Sequence, residues 1–509
     1  MMSWLAPKRA STKELCDIYP SRRHVERTLL QHLYPAGIPT PTLVRFSGYT
    51  SEGGHDISWT ASTCSSFLAS RLPSASEVAT AAGPVLYRIL LHHGAWPFKP
   101  APEPDAPLTA ERFAIAAALL MAEDRGTITF QDPQTHSHMV HERPRDWGNR
   151  CRLLFQSLCN TDWTARSTQD GSARTAADDE DLVAVLCACM PQPQKMDRAR
   201  FVPVAATLPS SHSRALDGRV DITSIRALLG LLLSLPAEDA PASSAEETGG
   251  SRTAVGAVVG AFAPQDGDAD GDVDWERFRS VMAQSTPLLL TELAAFISAQ
   301  FPGPRRGGGL LQVQHPRTIP PAMVATSPSS TRSSLTLPQL RQLSLVLPHP
   351  LLSTFSLLHQ SPPSHTTTAT IARLLAAPSS RLLLIRGGTT SGPYALAACV
   401  SPGTTQDADA TKTHFARTPL SPPAPGSAWN HPFSSPSTGP VDCFVRIAPT
   451  HGVFRGSFGS ARVDTCGADG LSVHLGGASM WFEGGLARGT VAGEGESVGF
   501  VVGLVEVWG

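Results

Sequence analysis

The sequence predicts an α+β protein in which a helical N-terminal region precedes a C-terminal antiparallel sheet. Residues 108–121 carry apolar side chains at three- and four-residue intervals, which is the spacing of an amphipathic helix. Residues 441–509 consist instead of short runs rich in β-branched and aromatic residues, bounded by Gly, Asp or Pro, as in strands joined by turns. A Pro-, Ser- and Gly-rich stretch at 303–333 lies between the two patterns and predicts a linker there.

The N-terminal region, residues 1–235, is predicted to be a helical array. Ser11 or Thr12 can cap the first helix ahead of Glu14, and Thr109 can cap a later one. Helical spacing of apolar residues is found in the segments 11–33, 80–91, 108–121, 147–158, 179–190 and 222–235.

The rest of the chain divides by composition. Residues 236–251 contain Ala, Ser, Glu and Gly with almost no large apolar side chain, so they cannot offset the entropy of ordering and are predicted to be a flexible linker. Residues 252–302 are predicted to form a helix–loop–helix. Residues 334–509 form the predicted β domain, in which the Pro- and Ser-rich segment 406–440 is an enlarged surface loop.

Two local patterns predict how the β domain is built. Gly484 and Gly485 separate two strand-like runs, which predicts a hairpin with a two-residue turn, since such turns need positive φ at both central positions. In the last run both faces are largely apolar, so we expect the strand to be covered on both sides. Strict alternation places one set of its side chains on a single face: Phe500, Val502, Leu504, Glu506 and Trp508.

The C-terminal third resembles the TLDc domain of the oxidation-resistance proteins. The features that carry the resemblance are Leu475-Gly476-Gly477, the aromatic glycine-turn hairpin at 480–489, and the ending Val505-Glu506-Val507-Trp508-Gly509. The segments 337–347 and 351–358 resemble the family's opening helices, and 381–385 and 394–400 its first two strands. The resemblance covers 334–509. Because a long helical region precedes it, the chain is most similar to the fungal restriction of telomere capping protein five family.

This resemblance implies an antiparallel β-sandwich with flanking helices that docks on a protein partner and is not an enzyme. It implies no catalytic residue and no cofactor. TLDc proteins associate with the vacuolar proton-pumping ATPase and influence assembly of its peripheral sector, so this sector is the expected partner. Stress resistance and an effect on telomere capping are the cellular roles that the resemblance implies.

Composition excludes several classes of protein. The formal net charge of −2 gives no basic footprint for nucleic acid. Nine cysteines form an odd number without regular spacing, which favours a reducing compartment over a disulfide framework. No run approaches the roughly 18 apolar residues of a membrane span, and Met2 stands where N-myristoylation needs Gly. These features predict a cytoplasmic protein, and the resemblance implies that it reaches the vacuole membrane through a protein partner.

One segment matches most of a calcium-binding EF-hand loop. Asp266, Asp268 and Asp270 occupy positions 1, 3 and 5, and a glycine and an aliphatic residue stand at positions 6 and 8. Position 12, however, is Arg277, a cation where two carboxylate oxygens should complete the cage, and Glu276 lies one residue too early. We expect a degenerate helix–loop–helix retained for packing, with calcium binding as the alternative.

Two further segments hold residues of chemical interest. His136, His138, His141 and Glu142 could ligate zinc, but their spacing is not the His-Glu-x-x-His of a catalytic helix, and nearby prolines favour a polar loop. The glycine-rich stretch 386–392 follows an apolar strand, yet it lacks the Lys and the following helix of a phosphate-binding loop. We interpret it as a hairpin turn.

A stress-responsive enzyme that uses a thiol or a bound metal is the competing hypothesis. Cys443 and Cys466 are its candidate thiols, but neither has a sequence context that would lower its pKa. Glu506, beside Trp508, could be a buried acid; a paired or solvated carboxylate at the end of the strand is the simpler interpretation. No paired acid and base appear in the sequence, which favours the docking role.

Overall fold

The structure is a computed structural model of the 509-residue chain. It describes residues 11–34, 37–48, 58–98, 106–121, 143–159, 180–190, 198–209, 216, 218–235, 245–263, 271–301, 335–348, 351–352, 355–376, 379–390, 392–400, 442–449, 451–455, 462–466, 470–475, 478–483, 486–493 and 496–508.

The chain divides into two compact units. The first consists of Met1–Leu228, Asp272–Glu276 and Leu293–Gln312; the second consists of Leu229–Gly271, Arg277–Glu292 and Val313–Gly509. The second unit therefore combines the predicted β domain with parts of the preceding helical segments. This division differs from the predicted succession of a helical region, a separate helix–loop–helix and a β domain.

Helices dominate the first 300 residues, as predicted. In chain order the described helices are α1 Thr12–Ile18, α2 Arg22–Leu33, α3 Thr40–Ser47, α4 Ala61–Arg71, α5 Ser76–Ala95, α6 Ala110–Leu120, α7 Arg143–Leu158, α8 Glu180–Ala188, α9 Val202–Thr207, α10 Ile222–Leu233, α11 Ala245–Phe262, α12 Trp275–Gln284, α13 Leu289–Gln300, α14 Leu337–Ser344 and α15 Thr368–Leu375.

The predicted helix caps are confirmed. Ser11 caps α1, and its backbone N–H donates to the Glu14 carboxylate while the Glu14 N–H donates to the Ser11 hydroxyl, which completes a capping box. Thr109 caps α6. The segment 11–33, however, forms two helices, because the chain breaks before Ser21, which caps α2 in its turn.

Aromatic packing forms part of the core of the first unit. Trp59 is fully buried, its ring stacks on Phe46 with centroids 4.9 Å apart, and its indole N–H donates to the Phe46 carbonyl at 2.9 Å. The surrounding rings are Phe67, Phe113 and Phe301. The Trp59 ring is thus buried while its one polar atom, the indole nitrogen, keeps a hydrogen-bond partner.

An ion pair is also buried in the first unit. Arg152 on α7 donates to the Asp181 carboxylate on α8 at 2.5 Å, and the Trp96 indole N–H donates to the same carboxylate oxygen at 3.2 Å. Both charged side chains are almost inaccessible to solvent. Such a pair is stable only while both partners are present, since either charge alone would be buried without compensation.

The strands form one small ribbon and one large sheet. They are β1 Ser58–Trp59, β2 Leu108–Thr109, β3 Leu357–Ser361, β4 Arg381–Thr389, β5 Gly392–Val400, β6 Cys443–Ala448, β7 Gly452–Arg455, β8 Arg462–Cys466, β9 Gly470–Leu475, β10 Ala478–Glu483, β11 Arg488–Gly493 and β12 Glu496–Trp508. β1 pairs with β2. The large sheet is antiparallel in the order β7-β6-β5-β4-β12-β11-β10-β9-β8, and β3 pairs with β12.

The large sheet has two buried faces. One face contributes side chains from β4 to β6 and from β9 to β12 to a single apolar cluster, which α15 also joins. The opposite face of β4, β5 and β6 packs against α14, together with Trp508 at the end of β12. The predicted α+β class, with an antiparallel sheet at the C-terminus, is confirmed.

The predicted alternation along β12 is wrong, because a β-bulge reverses it. Val502 pairs with Gly387 and Leu504 with Arg386, so Gly503 is an extra residue without a partner on β4. As a result Phe500, Val502, Val505 and Val507 join the first cluster, while Trp508 joins the second. The C-terminal half of β12 is covered on both sides, but Val501 is 59% exposed.

Three other local predictions differ from the structure. The β10–β11 hairpin is present, but Glu483 pairs with Arg488, so its connection has four residues rather than the two predicted, and Leu486 has a φ of 74°. Residues 357–358, predicted as helix within 351–358, begin strand β3. Helix α11 begins at Ala245, inside the segment 236–251 that was predicted to be a flexible linker.

In the described part of the chain, no single helix is long and apolar enough to cross a membrane. The bent pair formed by α12 and α13 meets the criterion on length and composition only.

Candidate functional site: a buried polar layer beneath α14

Helix α14 positions two polar side chains against the large sheet. The helix begins after Thr336, whose N–H donates to the Gln339 side chain at 3.0 Å, and Pro338 lies in its first turn, where a missing N–H costs nothing. Arg341 and Gln342 both lie on its buried face. The second unit thus contains polar groups within an otherwise apolar helix–sheet interface, where each one needs a partner.

His451, immediately before β7, is the centre of this layer. Its imidazole Nε2 lies 2.7 Å from the Ser285 carbonyl after α12, and its Nδ1 lies 2.9 Å from the amide nitrogen of Gln342. Its backbone N–H donates to the Ala257 carbonyl on α11 at 3.0 Å. The same Gln342 nitrogen donates to the Ile447 carbonyl on β6 at 2.9 Å. One residue therefore links α11, the segment after α12, α14 and the sheet.

The hydrogen bonds assign the tautomer of His451. The Ser285 carbonyl can only accept, so Nε2 carries the proton, and Nδ1 accepts from the Gln342 amide. Burial lowers the pKa of His451 to about 4; the bond to Ser285 opposes this shift and the Arg446 charge adds to it. A second proton on Nδ1 would face an amide N–H. The neutral ring is accordingly the form that the fold holds.

Glu506 belongs to the same side of the sheet and is fully buried. One carboxylate oxygen accepts from the Gln360 side chain on β3 at 2.7 Å, and the other accepts from the Trp508 indole N–H at 3.1 Å. The paired carboxylate that the sequence favours is thus found, and it is buried. Since the carboxylate ties β3 to β12 through side chains, it stabilises the end of the central strand.

Arg277 occupies position 12 of the predicted calcium loop and contacts the preceding helix. Its guanidinium donates to the carbonyls of Ala261 at 2.7 Å and Ala263 at 3.3 Å, at the C-terminal end of α11. The Phe262 and Phe278 rings pack 5.9 Å apart beside it. The three predicted ligands, Asp266, Asp268 and Asp270, lie outside the described residues. Phe278 is buried.

The other predicted sites give mixed results. The segment with His136, His138, His141 and Glu142 lies outside the described residues, as does the enlarged loop 406–440. The stretch 386–392 is a hairpin, as predicted. Strand β4 continues through Gly387 and Gly388, so only residues 390–391 connect Thr389 to its partner Gly392. Within the described ranges, no group of three or more His, Cys, Asp or Glu side chains is placed to hold a metal.

The thiol candidates are placed in the interior or are not described. Cys443 on β6 is fully buried and lies directly opposite Cys399 on β5. Burial, with the neighbouring Cys443 and Asp442, raises the pKa of Cys399 well above its usual value. The side chain of Cys466 lies outside the described residues.

Sequence reasoning missed His451 and Gln342. A single histidine in a turn and a glutamine in a helix follow no pattern that predicts pairing across more than 100 residues. It also missed a repeated Gly-x-Val-Asp segment, for which a signal exists. Gly218, Val220 and Asp221 repeat the order of Gly271, Val273 and Asp274.

No protein-family model matches the chain, and no curated protein matches it significantly.

Proposed function

We propose that the chain is a non-enzymatic regulatory protein of the TLDc type, most similar to the restriction of telomere capping protein five family. Its β domain docks on the peripheral sector of the vacuolar proton-pumping ATPase and influences assembly of that sector. It works in the cytoplasm and reaches the vacuole membrane through this partner. Stress resistance and effects on telomere capping follow indirectly from that role.

One observation carries the proposal. The most specific part of the resemblance is the ending Glu506-Val507-Trp508-Gly509, and residues 506–508 are buried in the C-terminal half of the central strand of an antiparallel sheet. A residue pattern at the centre of a sheet determines packing and strand pairing, so it supports a shared architecture more strongly than a pattern in a surface tail would. The support that the fold gives to a docking function is an analogy with the family.

A docking role also fits the chemistry of the described side chains better than thiol catalysis. A peroxide-reducing cysteine needs an accessible thiolate. Cys443 is fully buried, and its neighbour Cys399 has a raised pKa. These two thiols are therefore unsuited to react with peroxide in the folded state.

Affinity capture from cell lysate tests the proposal directly. The tagged full chain is expected to retain subunits of the peripheral sector, identified by mass spectrometry. Val501 is the most exposed large apolar residue in the described part of the β domain, so Val501→Glu is expected to reduce retention at least tenfold if this face docks. Ser497→Glu, an exposed position on the same strand, is the matched control.

The outcomes separate the two hypotheses. Absence of every ATPase subunit from the wild-type capture would contradict the proposed partner. Equal retention by Val501→Glu and wild type would move the docking surface away from this face. Peroxide consumption that Cys443→Ser abolishes, with the fold retained, would favour the enzyme.

A further inference from the structure

The chain contains two copies of one EF-hand-type segment. In the first copy Gly218, Val220 and Asp221 precede helix α10; in the second, Gly271, Val273 and Asp274 precede helix α12. Gly and an aliphatic residue in this order are positions 6 and 8 of an EF-hand loop. The repeat continues into the helices, where corresponding positions are equally buried: Ile225 with Phe278, and Leu228 with Val281.

The two loops are joined as the loops of an EF-hand pair are. Val220 and Val273 exchange two backbone hydrogen bonds, N–H to carbonyl at 2.9 and 2.8 Å, in an antiparallel bridge. Both side chains are buried. Residues at position 8 of two paired calcium-binding loops form the same kind of bridge, so the second segment is a member of a pair and not an isolated helix–loop–helix.

A guanidinium group contacts position 12 of the first loop and occupies position 12 of the second. In the first, position 12 is Ser224, whose hydroxyl accepts from Arg88 of α5 at 2.8 Å. In the second, position 12 is Arg277 itself, which donates to the carbonyls of Ala261 and Ala263. In a calcium-binding loop the residue at position 12 is the Glu that holds the metal with both oxygens. Here a positive charge is supplied by the protein at that position.

Arg277 stabilises the helix pair in a way that needs no metal. The free carbonyls at the end of α11 carry the negative end of the helix dipole, and a guanidinium there satisfies two of them while adding a favourable charge interaction. Bound calcium would couple the loop to α12 through a carboxylate. Arg277 instead couples α12 directly to the end of α11.

Helix α11 and the segment that follows α12 each contact one end of α14. A side-chain carbon at Gly250 on α11 would lie 3.4 Å from the Thr336 hydroxyl, at the start of α14. The Leu288 N–H, after α12, donates to the Leu345 carbonyl at the end of α14 at 3.0 Å. Calcium sensors of the EF-hand type open to bind a helix of another protein. In this chain α14, a helix of the β domain, takes the place of the helix from another protein.

We propose that Arg277 takes the place of calcium in the second loop, so that α11 and α12 hold α14 permanently and independently of metal. The helix that they hold belongs to the same chain. Calcium therefore has no effect on this part of the protein. The inference does not depend on the identity of the docking partner.

Two substitutions in the full chain test the proposal. Arg277→Glu restores the carboxylate at position 12, after Asp266, Asp268 and Asp270 at positions 1, 3 and 5. We expect it to bind calcium with a dissociation constant of about 1 mM or lower by titration calorimetry, a range that EF-hands reach. Arg277→Gln removes the charge without restoring a carboxylate, and we expect neither it nor the wild type to bind.

Hydrogen exchange of α11 and α14 amides gives the second measurement. Without metal, both variants are expected to exchange at least tenfold faster than wild type, and calcium restores protection in Arg277→Glu only. Arg373→Glu, an exposed position on α15, makes the same charge change and is expected to match wild type. Circular dichroism establishes that each variant is folded; if Arg277→Glu is not, Arg277→Gln carries the exchange test.

Three results would overturn the proposal. They are calcium binding by the wild type with a submillimolar dissociation constant, wild-type protection in Arg277→Gln, and failure of folded Arg277→Glu to bind calcium.

Discussion

Replacing His451 by Gln removes a titratable ring but leaves an amide that can donate and accept at the same place. In the wild type, burial holds the pKa of His451 at about 4, against 6.5 for an exposed histidine. Well above pH 6.5 the ring is neutral in both the folded and the unfolded chain, so its contribution to stability is fully present. As the pH falls below 6.5, the unfolded chain takes up a proton that the folded chain does not.

The magnitude follows from the two pKa values. Each pKa unit of difference corresponds to about 1.4 kcal/mol, so protonation of the unfolded chain removes about 3 kcal/mol of stability once the pH is below 4. Between pH 7 and pH 4.5 the loss is about 2 kcal/mol. We expect the wild type to lose this much more unfolding free energy than His451→Gln over that interval, because the variant has no group to titrate there.

Hydrogen exchange of the β6 amides, corrected for the intrinsic rate at each pH, measures this free energy in the unit that contains His451. The measurement is limited to β6 because His93 on α5, in the other unit, has a pKa that burial also lowers to about 4. His474→Gln, an exposed position on β9, is the control and is expected to follow the wild type. Equal losses in His451→Gln and wild type would refute the assignment of a buried neutral ring.

Two further predictions concern stability. Arg152→Leu leaves the Asp181 carboxylate buried without its cation and is expected to cost about 3–5 kcal/mol in urea unfolding; adding Asp181→Leu should recover most of this, and a double variant no better than the single would contradict the pairing. In Gly387→Ala the new carbon would lie 1.8 Å from the Val501 carbonyl oxygen, so we expect the melting temperature to fall by roughly 5 °C or more. Gly499→Ala has open space and should cost little; equal effects would disprove the steric reasoning.

Local features of the fold were predictable from sequence because their causes are local. The Ser11–Glu14 capping box needs only two side chains three residues apart. The strands are predicted by runs of β-branched residues. The bulge at Gly503 was not predictable from alternation, because a bulge is defined by the register of the neighbouring strand. A glycine inside an apolar run is the signal that could have indicated it.

The polar layer was less accessible to sequence reasoning. Arg277 was recognised as a lost calcium ligand, but its contact with the end of α11 depends on where two helices meet. His451 and Gln342 lie in segments far apart in sequence, and neither segment carries a motif. Glu506 was singled out because a carboxylate in an apolar strand needs a partner; Gln360, which provides it, could be named only from the register of β3 on β12.

The position of β12 has a consequence for biosynthesis. This strand joins β4 to β11, yet the ribosome makes it after every other strand described here. Until residues 496–508 emerge, the nascent chain carries two open strand edges, at which non-native pairing and aggregation can begin. The β domain therefore completes its large sheet only after residues 496–508 have been synthesised.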